Sequence, residues 1–180
     1  MIDAASFKIW AYRAGFVLLA LLLTLGELLP LNTMPITWVM PDVLVCLTFA
    51  CCVRRPKYVP MIIIAAVFLF QDLLLNRPPG LFAALVLMAA EWLKRRSLRA
   101  EEFSFLREYL SVLLAMIFIF SCFRWAHGLA LLPLPQPYLT FSELLSTALF
   151  YPVIALLAQA VLKIRRPGIG DIEATAREQT

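Results

Sequence analysis

The sequence predicts an all-α integral membrane protein with six transmembrane helices and both termini in the cytoplasm. Three observations carry that prediction. Of 180 residues, 62% are apolar and 16% charged, with a mean hydropathy of +0.84, whereas soluble domains run about 45–50% apolar and about 25% charged. Six apolar stretches follow one another, each bounded by Pro, Gly or a basic cluster. Lys and Arg collect on alternate sides of those stretches. The same composition excludes a disordered chain, and four Cys do not make a disulfide scaffold. A net charge of +4 that resides in loop clusters makes no case for nucleic acid.

A hydrocarbon core of ~30 Å calls for about 20 helical residues. The first stretch, 14–29, follows Lys8 and Arg13 and stops at Pro30. No small-x-small cleavage site follows Leu29, so it reads as an uncleaved span. The second, 38–53, is stopped by Arg54-Arg55-Pro56, and the third is 58–75. The fourth, 80–93, ends at Lys94-Arg95-Arg96. The fifth covers 105–123, and the sixth, 144–162, ends before Lys163, Arg165 and Arg166. No stretch alternates with period two, which argues against a β-barrel. Stretches two and four are short, but counting both as spans leaves only Arg77 and Arg124, of the sixteen Lys and Arg, on the outer side. Omitting both spans leaves four outside: Arg54, Arg55, Lys57 and Arg124. Trp10 and Trp92 then fall at inner ends, and Trp38 and Trp125 at outer ends, where an interfacial belt places them. The chain is thus one membrane domain over 1–166 with a polar, aperiodic tail over 167–180, expected to be disordered.

Ionisable groups at membrane depth cost ~2.5–3.5 kcal/mol and default to a functional reading. Here they are Glu27, Asp42, Asp72, Glu91, Arg124 and Glu143. Glu27, Asp42, Asp72 and Glu143 are expected at the outer rim with Arg77 and Arg124, suiting ion pairs such as Asp72–Arg77 or Asp42–Arg124. Such pairs either fix helix packing or form a ligand or partner site. Catalytic, cofactor and metal constellations are absent from the pattern, so no enzyme activity is expected. His127 is the single histidine, and the cysteines lack zinc spacing. Cys46 and Cys122 read as small apolar packers, and Cys51-Cys52 as reduced. Gly168-Ile169-Gly170 follows no strand and makes no phosphate loop. The outer loop Asn76-Arg77-Pro78-Pro79-Gly80 is a tight connection, and Gly80-x-x-x-Ala84 permits close approach of a neighbouring helix. The apolar, proline-rich loop 128–141 is too broken to span and is expected at the outer interface or against another subunit.

Pro41-Asp42-Val43-Leu44, the Arg54-Arg55-Pro56 stop, Gln71-Asp72-Leu73-Leu74 and Arg77-Pro78-Pro79-Gly80-Leu81 together resemble the rod shape-determining protein MreD family. The likeness runs closely from Trp38 to Arg96 and elsewhere rests on size and topology. Gln71 stands where many members have Gly, and Pro78-Pro79 replaces a single proline. The resemblance implies a fold similar to the substrate-binding subunits of energy-coupling-factor transporters, with six helices around an outward-facing hollow. It implies a non-catalytic scaffold of the cell-elongation complex in the bacterial inner membrane, needed for lateral peptidoglycan synthesis and cell shape. Its nearest partner would be an MreC-like protein. Through that protein it would reach MreB, a RodA-type glycosyltransferase and a class B penicillin-binding transpeptidase, with membrane lipid around it. Carried over residue by residue, Asp42, Asp72, Arg77, Pro78, Pro79 and Gly80 would shape the partner-contacting hollow. The alternative is a substrate-binding membrane subunit of a vitamin-type transporter, with a lipid-handling hollow as a third reading.

Overall fold

The computed structural model describes residues 4–28, 40–56, 58–99, 105–129 and 136–162. Within them the chain forms six helices: α1 (Ala4–Leu28), α2 (Val43–Arg54), α3 (Met61–Leu74), α4 (Leu81–Arg99), α5 (Phe105–Leu129) and α6 (Pro137–Leu162). Three segments are long and apolar enough to cross a membrane: Ile9–Leu28, Phe105–Leu129 and Pro137–Gln159. Val43–Arg54 and Met61–Leu74 are shorter apolar helices, roughly 18 and 21 Å long at 1.5 Å per residue.

The short α2 is the centre of the bundle. Every residue from Leu44 to Arg54 is buried, and α2 packs against α1, α4 and α6, while α3–α4, α4–α5, α5–α6 and α1–α3 close the surround. Small side chains on α2, among them Cys46, Ala50, Cys51 and Cys52, let neighbours approach on all sides. Buried hydroxyls satisfy themselves on their own helix, as Thr48 Oγ1 does by donating to the Leu44 carbonyl at 2.7 Å and Thr24 Oγ1 to Ala20 at 2.9 Å. The outer faces reverse the soluble pattern. Leu18, Leu22 and Leu25 on α1, Leu110, Leu114 and Phe118 on α5, and Leu149, Val153 and Leu156 on α6 are all exposed. So continuous an apolar surface is suited to hydrocarbon rather than water.

Several helix boundaries differ from the sequence expectation. The Arg54-Arg55-Pro56 stop holds, with the Arg55 N–H closing α2 onto the Cys51 carbonyl at 2.9 Å. The stop at Lys94-Arg95-Arg96 does not, because α4 continues to Arg99. Lys94 is buried rather than solvated, its Nζ donating to the Val59 carbonyl. Arg95 reaches back one turn to Glu91 at 2.8 Å, and Ser97 Oγ donates to the Val53 carbonyl at 2.6 Å. α5 extends past residue 123 to Leu129. α6 begins at Pro137, so residues 137–141 of the expected loop are helical. Pro137 occupies the first helical position, where its fixed φ and missing N–H cost nothing. Trp38, residues 130–135 and the tail 167–180 lie outside the described residues. Trp10, Trp92 and Trp125 are exposed.

Candidate functional site

The site is built around the turn between α3 and α4, and Asp72 organises that turn from both its main chain and its side chain. α3 ends as Leu75 N–H bonds the Gln71 carbonyl at 2.9 Å. Asn76 then turns left-handed (φ 51°), and the Arg77 N–H returns to the Asp72 carbonyl at 3.0 Å, the closure of a Schellman motif. Pro78 and Pro79 carry the chain to Gly80, at φ 85°, which precedes the first residue of α4. Gly80 has no side chain with which to cap a helix. Asp72 supplies the missing group from the neighbouring helix: its Oδ2 accepts from the N–H of Gly80 and of Ala83, each at 3.1 Å. A carboxylate at a helix N-terminus also meets the positive end of the helix dipole. The expected Asp72–Arg77 ion pair is therefore not the arrangement found. Asp72 is spent on backbone donors, and the Arg77 guanidinium lies over the Phe82 ring, 4.7 Å from its centroid.

A Cβ on Gly80 would meet only Leu69 Cδ1, at 3.9 Å, so space is not the constraint there. The positive φ is. Gly80→Ala should lower stability by about 1–2 kcal/mol, the cost of a left-handed L-residue, read as an earlier thermal transition of the detergent-solubilised protein. An unchanged transition would show that the turn relaxes freely. Ala84, expected with Gly80 on a helix-contact face, is exposed, whereas Ala83 is buried.

Asp42 likewise caps a helix instead of pairing with Arg124. Its Oδ1 accepts from the Val45 N–H at 2.9 Å at the start of α2. Its own N–H donates to Thr147 Oγ1 at 3.0 Å, and that hydroxyl donates in turn to the Glu143 carbonyl at 2.6 Å. Cys46 Sγ reaches the Thr147 carbonyl at 3.4 Å, so α2 is tied to α6 at this end. Gln71 Nε2 bonds Glu27 Oε2 at 3.1 Å, joining α3 to α1. Arg77 stands within electrostatic reach of Glu27, Asp42, Asp72 and Glu143. Arg77, Phe82, Phe123, Arg124, His127 and Glu143 line a cavity of about 50 Å³. The expected gathering of carboxylates and guanidinia at one end is thus found, with capping rather than ion pairing as its main chemistry. Asp72 Oδ1 and Gln71 Oε1 are buried there with no hydrogen-bond partner. The cavity has room for water.

At the opposite end of α2 lies a buried polar cluster that the sequence reading did not anticipate. Arg54 Nε pairs with Glu108 Oε1 at 2.9 Å, Tyr151 Oη donates to the same oxygen at 2.9 Å, and Arg54 Nη1 donates to the Ala155 carbonyl at 2.9 Å. Arg54, Glu108 and Tyr151 are 5%, 3% and 0% exposed, and they lock α2 to α5 and α6. The sequence places Arg54 among the inner-side cations, as part of the stop after the second apolar stretch. The available signal was an acid, Glu108, entering the fifth apolar stretch. Among the described residues no group of three or more His, Cys, Asp or Glu is placed to hold a metal ion, and Cys46, Cys51, Cys52 and Cys122 are unpaired. Comparison of the chain with known protein families, with curated proteins and with solved structures finds no match.

Proposed function

We propose that this chain is an MreD-like, non-catalytic subunit of the bacterial cell-elongation complex, crossing the inner membrane six times with both termini in the cytoplasm. It binds an MreC-like protein and thereby supports lateral peptidoglycan synthesis. One observation supports this reading above the others. Of the four segments that carry the family resemblance, Arg54-Arg55-Pro56 closes one end of α2. The other three, 41–44 and the adjoining 71–74 and 77–81, belong to the opposite, polar end of the bundle, although α2 separates the first from the other two in sequence. Asp42 and Asp72 each set the start of a helix there. A rigid, capped surface of this kind suits docking of another protein. The cavity beside it, at about 50 Å³, is well below the 300–1,000 Å³ of typical small-molecule sites, which favours the partner reading over a vitamin-binding one. The short α2 and α3 cross in this reading by local thinning of the bilayer, at a modest cost per ångström of mismatch.

Co-purification of the tagged full chain from native membranes in mild detergent tests the proposal, with proteins and small molecules identified by mass spectrometry. Near-equal recovery of an anchored protein with an extracytoplasmic coiled coil is the expected result. Recovery with a bound vitamin, or with an ATPase module, would overturn it.

A further inference from the structure

Away from the polar end, two apolar grooves run along α4. One, of about 430 Å³, lies between α4 and α5 and is lined by Met88, Ala89, Trp92, Leu114, Ala115 and Phe118. The other, of about 520 Å³, lies on the α3 side, where Met61 and Leu87 help to line it. Met88 and Trp92 stand between the two and line both. At Trp92 the character of the surface changes. The Arg96 guanidinium lies 5.3 Å from the Trp92 ring centroid, and Arg95, exposed, is bonded to Glu91 at 2.8 Å. Exposed Arg107 is on the first turn of α5. The few residues joining α4 to α5 cannot reach back along the roughly 28 Å of α4, so Arg107 belongs to this same end. Among the described residues, three guanidinia against one carboxylate leave the mouth of the grooves cationic.

We propose that the grooves hold the two acyl chains of an anionic diacyl phospholipid, one chain on each side of Met88 and Trp92, with the phosphate against Arg95 and Arg96. Each part of such a lipid has its complement here. Two apolar channels share a ridge, an indole stands where they meet the charged residues, the position indoles favour at a headgroup boundary, and guanidinia suited to phosphate lie just beyond it. A transmembrane helix, about 10 Å across, would rest on the Met88–Trp92 ridge and leave both channels empty. The inference needs the chain to lie in a bilayer but does not need the proposed partner. Lipid retention without a recovered partner, or the reverse, would separate the two.

The test is native mass spectrometry of the full chain in detergent, titrated with phosphatidylglycerol and with phosphatidylethanolamine of the same chains. Phosphatidylglycerol should be retained as a one-to-one adduct at lower concentration. Combined Arg95→Ala and Arg96→Ala substitution should weaken it roughly thirtyfold and weaken phosphatidylethanolamine, whose phosphate is offset by its own ammonium, by a much smaller factor. Leu114→Trp, at an exposed position lining the α5 side, should weaken both lipids by filling one groove. Equal retention of the two lipids, or undiminished phosphatidylglycerol binding in the double arginine variant, would overturn the proposal.

Discussion

Replacing Glu108 with alanine should cost about 3–5 kcal/mol of folding free energy, the largest loss expected from any single change in this chain. The substitution leaves Arg54 as an uncompensated charge, 5% exposed at the centre of the bundle, and takes away the acceptor of the Tyr151 hydroxyl. Thermal or SDS-driven unfolding in detergent reads the effect. The companion variant combines Arg54→Met with Glu108→Leu, which removes both charges while keeping the volume. It should recover most of the loss, because the penalty lies in the orphaned ion rather than in a missing attraction. A Glu108→Ala protein as stable as the parent would mean that Arg54 finds water or a second acceptor. A double variant no better than the single would make the pair itself the source of stability.

The second large effect is expected at Asp72. Alanine there strips two backbone N–H groups, of Gly80 and Ala83, of their common acceptor. The cost is about 2–3 kcal/mol, combining a lost helix cap with buried donors left unpaired. Asparagine separates capping from charge. Its amide oxygen can take the place of Oδ2 and accept both bonds, and its NH₂ then falls where Oδ1 now has no partner. Asp72→Asn should therefore keep most of the stability that Asp72→Ala loses. If the proposed partner reads the shape of the turn, Asp72→Asn also keeps the complex and Asp72→Ala does not. Loss of the complex in a stable Asp72→Asn protein would instead assign partner recognition to the negative charge.

These two sites show what was legible in the sequence and what was not. The long apolar helices could be read directly, since α1, α5 and α6 need only enough consecutive Leu, Phe, Ile and Val to span hydrocarbon. The clustering of Asp42, Asp72, Glu143 and Arg77 follows from their places at the outer ends of the apolar stretches. What these carboxylates bind could not be read, because their partners are backbone N–H groups, which every sequence contains and none marks. The charges misled for a different reason. Arg54 and Lys94 look like loop cations that terminate helices, and their burial depends on acceptors elsewhere in the chain, Glu108 at a separation of 54 and the Val59 carbonyl at 35. The proline-rich segment 128–141 reads in sequence as a broken loop. Pro137 has the same identity in a loop and at the first turn of a helix, and only the helix that follows decides which it is.

The burial of α2 on every side sets an order of events during synthesis. Its polar anchors to α6 are Asp42 to Thr147, Cys46 to Thr147 and Arg54 to Ala155, at separations of 105, 101 and 101 residues. At ~5–20 residues per second, a ribosome delivers α6 several seconds or more after α2 has left it. For that interval a twelve-residue helix ending in an arginine lacks its α6 partners and is too short to rest across the bilayer alone. The centre of this molecule is thus the part that waits longest for its neighbours. Nascent chains halted before α6 should be the forms that quality-control proteases remove first.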